Sequence, residues 1–267
     1  MCLAAFALNA HPRFPLVIAA NRDEFFARAA EPMHWWPGDG PALLAGRDLG
    51  AGGTWFGLSR AGRLALLTNV REPGRQRPDA PSRGARVVDW RRSRQAAPPF
   101  AAALAPGYNG FNLVTADLRQ GHWHCLSNRA AAPVALPDGL HALSNAALGT
   151  PWPKTGALQA ALADALRQAG SAMQLADALF AALADATPVS GSSASGAGVG
   201  LLRERQLSPR FVRIIDPARP GLAHYGTRCS TVLVREADGT TQVIERSVTA
   251  DGQYRPAVQH RLARWPA

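Results

Sequence analysis

The residues best suited to chemistry stand near the start of the chain. Cys2 opens one apolar stretch, residues 2–8, and a second, residues 16–20, runs into Asn21-Arg22-Asp23-Glu24. Between them, Asn9-Ala10-His11-Pro12-Arg13-Phe14-Pro15 carries the prolines and polar groups of a turn. Folded as a hairpin centred near Pro12, the stretches pair residues whose numbers sum to about 24, which sets Cys2 beside Arg22 to within a residue or two. A small second residue favours removal of Met1, and that leaves a thiol and a free α-amine on one residue. An α-amine with a pKa of about 7.7–8 serves as a base near neutrality, a nearby arginine favours the thiolate, and Asp23 is the group to hold the amine. The plainer alternative makes Cys2 a small buried strand residue and Arg22, Asp23 and Glu24 a charged turn; periodicity alone leaves both open.

Other polar residues offer less. His122 and His124 would share one face of a strand, as a metal pair requires, but nothing nearby completes a ligand set, so an exposed strand face is expected and no metal. Cys2, Cys125 and Cys229 lack CxxC spacing, which argues against a disulfide framework and a structural zinc site and suits a reduced compartment. Gly53-Thr54 reads as a place where backbone approaches backbone, Trp55 as a possible pocket wall, and Arg47-Asp48 as a structural ion pair.

The elements that must position these residues follow from periodicity. After the first hairpin, Gly53–Leu58 and Leu64–Val70 form a second. Ser82 is the expected N-cap of a short helix holding Val87, Val88 and Trp90, with Arg91 and Arg92 at its negative pole. Strands are expected at Phe111–Ala116, His122–Leu126 and Leu140–Asn145. Leu158-Leu162-Leu166 and Leu175-Leu179-Leu183 then mark helices over 154–168 and 173–185. A glycine-serine stretch over 190–198 reads as a loop, and a last hairpin joins Tyr225–Val234 to Thr241–Ser247 across Asp238-Gly239. Strands first, helices in the middle and a late hairpin predict an α+β layered fold of antiparallel sheet, with residues 1–267 as one domain.

Composition narrows the function. The chain has 267 residues with 29 basic and 19 acidic side chains, and Lys154 is its single lysine. An arginine-, alanine- and proline-rich sequence with no run of alternating aromatic and basic residues points to codon usage and a solvated surface, with the run from Arg83 to Arg94 as one example; no nucleic-acid partner is expected. There is no signal-like segment and no apolar run of membrane-spanning length, so a soluble cytoplasmic protein is expected.

Asn21-Arg22-Asp23-Glu24 resembles the signature of the NRDE family, also called the transport-and-Golgi-organisation protein 2 family. Gly46-Arg47-Asp48-Leu49, Gly52-Gly53-Thr54-Trp55, Thr68-Asn69, Gly110-Phe111-Asn112-Leu113, Leu143-Ser144-Asn145, Pro151-Trp152-Pro153-Lys154 and Tyr225-Gly226-Thr227-Arg228 look like that family's pattern in its order. The resemblance implies an N-terminal-nucleophile hydrolase type of fold, an αββα four-layer sandwich. A weaker similarity to penicillin V acylases and bile salt hydrolases implies a catalytic set of Cys2, Arg22, Asp23, Asn69, Asn145 and Arg228. In that set Asn69 and Asn145 close strands and donate to an oxyanion, and Arg228 begins a strand and lowers the thiol pKa or binds an acidic group. The implied function is hydrolysis of an amide or thioester acyl bond of a small molecule, with no cofactor required. The alternative is carriage of haem, acyl-coenzyme A or lipid on the same scaffold, with Arg22 and Arg228 facing a propionate, phosphate or carboxylate and no histidine pair poised to ligate haem iron.

Overall fold

The computed structural model describes residues 2–37, 42–103, 107–188, 200–215 and 224–266, so the glycine-serine loop expected over 190–198 lies outside the described residues. Strand β1 (Cys2–Leu8) is buried along its whole length. Its unbroken apolar run has a simple cause: Leu3, Ala5 and Ala7 point to a helix layer, while Ala4, Phe6 and Leu8 point to a second sheet. β2 (Leu16–Phe25) pairs with it antiparallel from Leu8↔Leu16 to Cys2↔Arg22, the register read from the hairpin.

That pair lies inside the first sheet, whose order is β10 (Gly139–Leu143), β1, β2, β12 (Tyr225–Arg235), β13 (Thr241–Ser247), β14 (Val258–Leu262), with β11 (Arg213–Ile214) on β12. The second sheet runs in chain order: β3 (Ala30–Trp36), β4 (Leu43–Asp48), β5 (Phe56–Ser59), β6 (Arg63–Asn69), β7 (Phe111–Asp117), β8 (His122–Ser127) and β9 (Val134–Ala135). All these pairings are antiparallel. Helices α3 (Pro153–Gln168) and α4 (Ala172–Leu183) bury Leu158, Leu162, Leu175 and Leu179 against the outer face of the first sheet. Each such leucine contributes roughly 1.5–3 kcal/mol by leaving water. Helices α1 (Ala85–Arg92) and α2 (Ala97–Ala102) cover the second sheet with Val87, Trp90 and Phe100. The inter-sheet core takes Phe6 and Ile18 from one sheet, Phe56 and Val114 from the other, and Trp265, whose Nε1 donates to the Ser59 carbonyl at 2.7 Å. The result is the expected α+β sandwich, helix–sheet–sheet–helix.

Several local expectations change. β3 and β4 intervene between the two hairpins, and α2, β9, β11, β14 and α5 (Leu201–Leu207) are additional. The Ser82 hydroxyl is not the cap of α1: Gly84 occupies that position without a side-chain cap bond. The reason is the close backbone crossing anticipated at Gly53. A Cβ there would lie 2.5 Å from the Gly84 carbonyl carbon, and Thr54 N donates to Gly84 O at 3.2 Å, so this contact sets where the helix starts. The arginine run is not wholly solvated either, since Arg91 is buried and Arg83 donates to the Gly110 carbonyl at 3.1 Å.

Candidate active site

Alternation along β2 divides its polar residues between two faces. Asn21 and Asp23 face the helices; Arg22 faces the other sheet, as does its register partner Cys2. Asn21 is fully engaged: its Nδ2 donates to the carbonyls of Leu183 at 2.9 Å and Arg210 at 2.8 Å, and its Oδ1 accepts from Ser230 Oγ at 2.6 Å. It fastens the end of α4 to the sheet. Asp23 accepts from Thr227 Oγ1 at 2.8 Å, and burial raises its pKa while nearby Lys154 pulls it down.

Lys154, which its local sequence does not mark as a site group, lies close enough to Asp23 for their charges to interact. It sits in the first turn of α3, is 2% exposed, and donates to the Leu207 carbonyl at 3.3 Å. Burial lowers its pKa to about 8, with Asp23 opposing that shift. Its motif stood in the sequence, but a lysine at a helix start reads as a solvated one.

Cys2 is 9% exposed and lines a small cavity of about 10 Å³ with Arg22, Trp55, Phe56 and Leu66. Such a space holds one water at most. The expected thiolate does not form by proximity to arginine alone. Burial raises the thiol pKa and outweighs the pull of the positive N-terminus; Asp23 adds to the rise, and Arg22 favours the thiolate, as expected, but more weakly. The sulfur therefore rests as a thiol and needs a base.

The two asparagines meet, but not as a pair of free amides. Asn145 lies two residues past β10, is buried, and donates from Nδ2 to the backbone carbonyl of Asn69 at 2.9 Å. One Nδ2 hydrogen of Asn145 remains. Asn69 is the last residue of β6, on the strand face of Ala65 and Leu67, which is the face covered by α1 and α2. Ser144 completes the link, because its hydroxyl lies 2.9 Å from the Cys2 carbonyl and 3.1 Å from Asn145 Oδ1.

Arg228 lies within its strand and does not begin it. It is the extra residue of an irregularity in β12, between Thr227 opposite Asp23 and Cys229 opposite Arg22. Its Nη1 donates to the carbonyls of Phe25 at 2.8 Å, Phe26 at 3.2 Å and Arg28 at 2.8 Å. Arg47 is not the partner of Asp48 either. Asp48 takes Arg28 Nε at 2.7 Å and Arg22 Nη2 at 3.7 Å, while Arg47 lies over Trp36. The Arg22 guanidinium stacks 4.2 Å from the Trp55 ring. Trp55 is thus the pocket wall foreseen, and together the two side chains border a second, larger cavity of about 180 Å³ that Arg228, Arg255, Phe26 and Glu245 also line.

His122 and His124 stand 6.5 Å apart between ring centres, and no group of three or more metal-ligating side chains occurs among the described residues. Among them, too, no helix is long and apolar enough to cross a membrane.

Residues 1–250 match the family described as Transport and Golgi organisation 2. The chain is 31% identical over 262 residues to the mouse Transport and Golgi organization 2 homolog and 34% identical over 267 residues to the cattle Transport and Golgi organization protein 2 homolog, covering 93% of both sequences in each case. The Drosophila melanogaster Transport and Golgi organization protein 2 is 35% identical over 104 residues, 34% of each chain. Among solved structures, a Caenorhabditis elegans N-acylethanolamine-hydrolyzing acid amidase ortholog superposes with a TM-score of 0.47 at 14% identity, covering 87% of this chain and 92% of that one. A C2A mutant of the conjugated bile acid hydrolase from Clostridium perfringens gives 0.44 at 9% identity, covering 97% and 92%. Both structural likenesses are distant.

Proposed function

The chain belongs to the Transport and Golgi organisation 2 family, and from that footing we propose that it hydrolyses an amide or thioester acyl bond of a small molecule with Cys2 as nucleophile. The observation that carries this reading is the register Cys2↔Arg22 at the very start of β1. It sets the thiol on the inter-sheet face and Asp23, the next residue of β2, on the opposite face.

Removal of Met1 frees the Cys2 α-amine, whose usual pKa of about 7.7–8 suits it to take the thiol proton as sulfur attacks the acyl carbon. A base is needed because the buried thiol stays protonated. Asp23 faces away from the sulfur and holds the ammonium that results. The remaining Nδ2 hydrogen of Asn145 stabilises the oxyanion, a donor of the kind typically worth about 10²- to 10³-fold in rate. Collapse expels an amine or thiol that takes back the proton, and water then cleaves the thioester with the α-amine as base. No step requires a cofactor.

The second reading, carriage of haem or acyl-coenzyme A without turnover, is favoured by the arginines that line the larger cavity. Intact mass of the purified protein before and after incubation with acyl amides and acyl thioesters separates the two. Hydrolysis predicts loss of Met1 and an acyl adduct that disappears in Cys2→Ala; intact Met1 in protein that turns substrate over would sink it.

A further inference from the structure

The larger cavity has a chemical character of its own. Arg22, Arg228 and Arg255 converge on about 180 Å³, with Phe26 and Trp55 as apolar walls. Arg22 is 5% exposed, yet its buried Nη1 has no hydrogen-bond partner, and neither does the buried Nε of Arg228. Buried guanidinium nitrogens left without acceptors cost stability, of the order of 1–3 kcal/mol each in comparable cases, unless something else accepts from them. The acidic groups that also line the space do not supply that acceptor. Glu245 accepts from Met33 N at 2.8 Å and lies 3.4 Å from Thr231 Oγ1, and burial favours its neutral form; Glu31 lies 3.7 Å from His34 Nε2. The Arg228 guanidinium is pushed toward deprotonation by its burial and then by the charge of Arg22, the sign of crowded cations, and Cys229 and Glu24 oppose that only in part.

We propose that this cavity binds a small molecule through a carboxylate or phosphate group, held by Arg22, Arg228 and Arg255, with Trp55 and Phe26 against its apolar part. Both anions offer the same chemistry to guanidinium, two or more oxygens in the spacing of its N–H fork. The site rests on the carriage reading, whose arginines it assigns, and does not depend on turnover at Cys2. It adds to the hydrolysis reading because Arg22 and Trp55 line the thiol cavity as well, so a ligand anchored here ends one side chain away from the sulfur.

Calorimetric titration of the full chain with inorganic phosphate, acetate, hexyl phosphate and hexanoate tests the proposal. Saturable one-to-one binding is expected for the anions, tighter for the hexyl forms, and the phosphate and carboxylate arms tell which anion the site prefers. Removing one charge-assisted contact should weaken binding by about tenfold or more. Arg228→Met and Arg255→Ala should both show it, the second being the exposed residue whose loss leaves the strand carbonyls capped. Cys2→Ala should retain affinity, so failure of acylation at Cys2 would leave this prediction standing. No saturable binding of any anion, hexanol binding as tightly as hexyl phosphate, or affinities unmoved in both arginine variants would each overturn it.

Discussion

The two faces of β2 treat their polar side chains in opposite ways. On the helix side, Asn21 makes three hydrogen bonds and Asp23 is held by Thr227, so the polar groups there tie α4, β12 and the sheet together. On the inter-sheet side, Arg22 shares Asp48 with Arg28, stacks on Trp55 and keeps a buried nitrogen without a partner. Satisfied buried groups specify a structure, and unsatisfied ones mark where a ligand can still contribute. Asn21 and Arg22, adjacent residues of one tetrapeptide, thus divide into a structural residue and a ligand-facing one, and the division is testable.

The largest effect on stability is expected from Asn21→Ala. It breaks three bonds and strands two carbonyls, so unfolding in urea should show a loss of about 3–4 kcal/mol. A loss below about 1 kcal/mol would dissolve the contrast between the faces.

Lys154→Met sharpens the same face from the other direction. The folded pKa of about 8 lies below the 10.5 of a free lysine, so below pH 8 the buried charge opposes folding in full. The variant should be more stable than the native chain by about 2 kcal/mol at pH 7, less than the whole shift implies because the buried Leu207 carbonyl loses its donor. As pH climbs from 8 to 10.5 the unfolded lysine loses its proton too, so the gap should close across that window in parallel thermal melts. A gap independent of pH would assign the effect to packing.

Arg22→Met should change stability least, by about 1 kcal/mol or less, because Asp48 retains Arg28 and the stacked surface is replaced by apolar surface. It should nevertheless weaken anion binding in the larger cavity by about tenfold, the loss of one charge-assisted contact. A stability loss as large as that of Asn21→Ala would make Arg22 structural and overturn the division.

What could be read in advance was what local pattern controls. The Cys2↔Arg22 register follows from two apolar runs around a proline-marked turn, and the paired helices follow from leucines at one-turn spacing. β3 was hidden by Pro32 and by polar Glu31 and His34 on a half-buried strand. The direction of Arg228 depends on a single extra residue in β12, which resets the alternation that assigns side chains to faces and leaves no local mark. The burial of Lys154 depends on α5 arriving from later in the chain to offer the Leu207 carbonyl. For Asn145, the resemblance named the residue, and nothing local marks its bond to the Asn69 backbone, which is a matter of how two sheets meet.

The first sheet joins the opening of the chain to its close, since Asp23 on β2 and Thr227 on β12 bond across 204 residues. At about 5–20 residues per second, a ribosome needs roughly 10–40 s to make that stretch. For that interval β2 lacks the neighbour that will cover its edge, and the strand carrying Cys2 cannot be sealed into the sandwich. Closure of β12 on β2 is therefore a late event of synthesis, and until it happens the strand edge that bears Arg22 stays open.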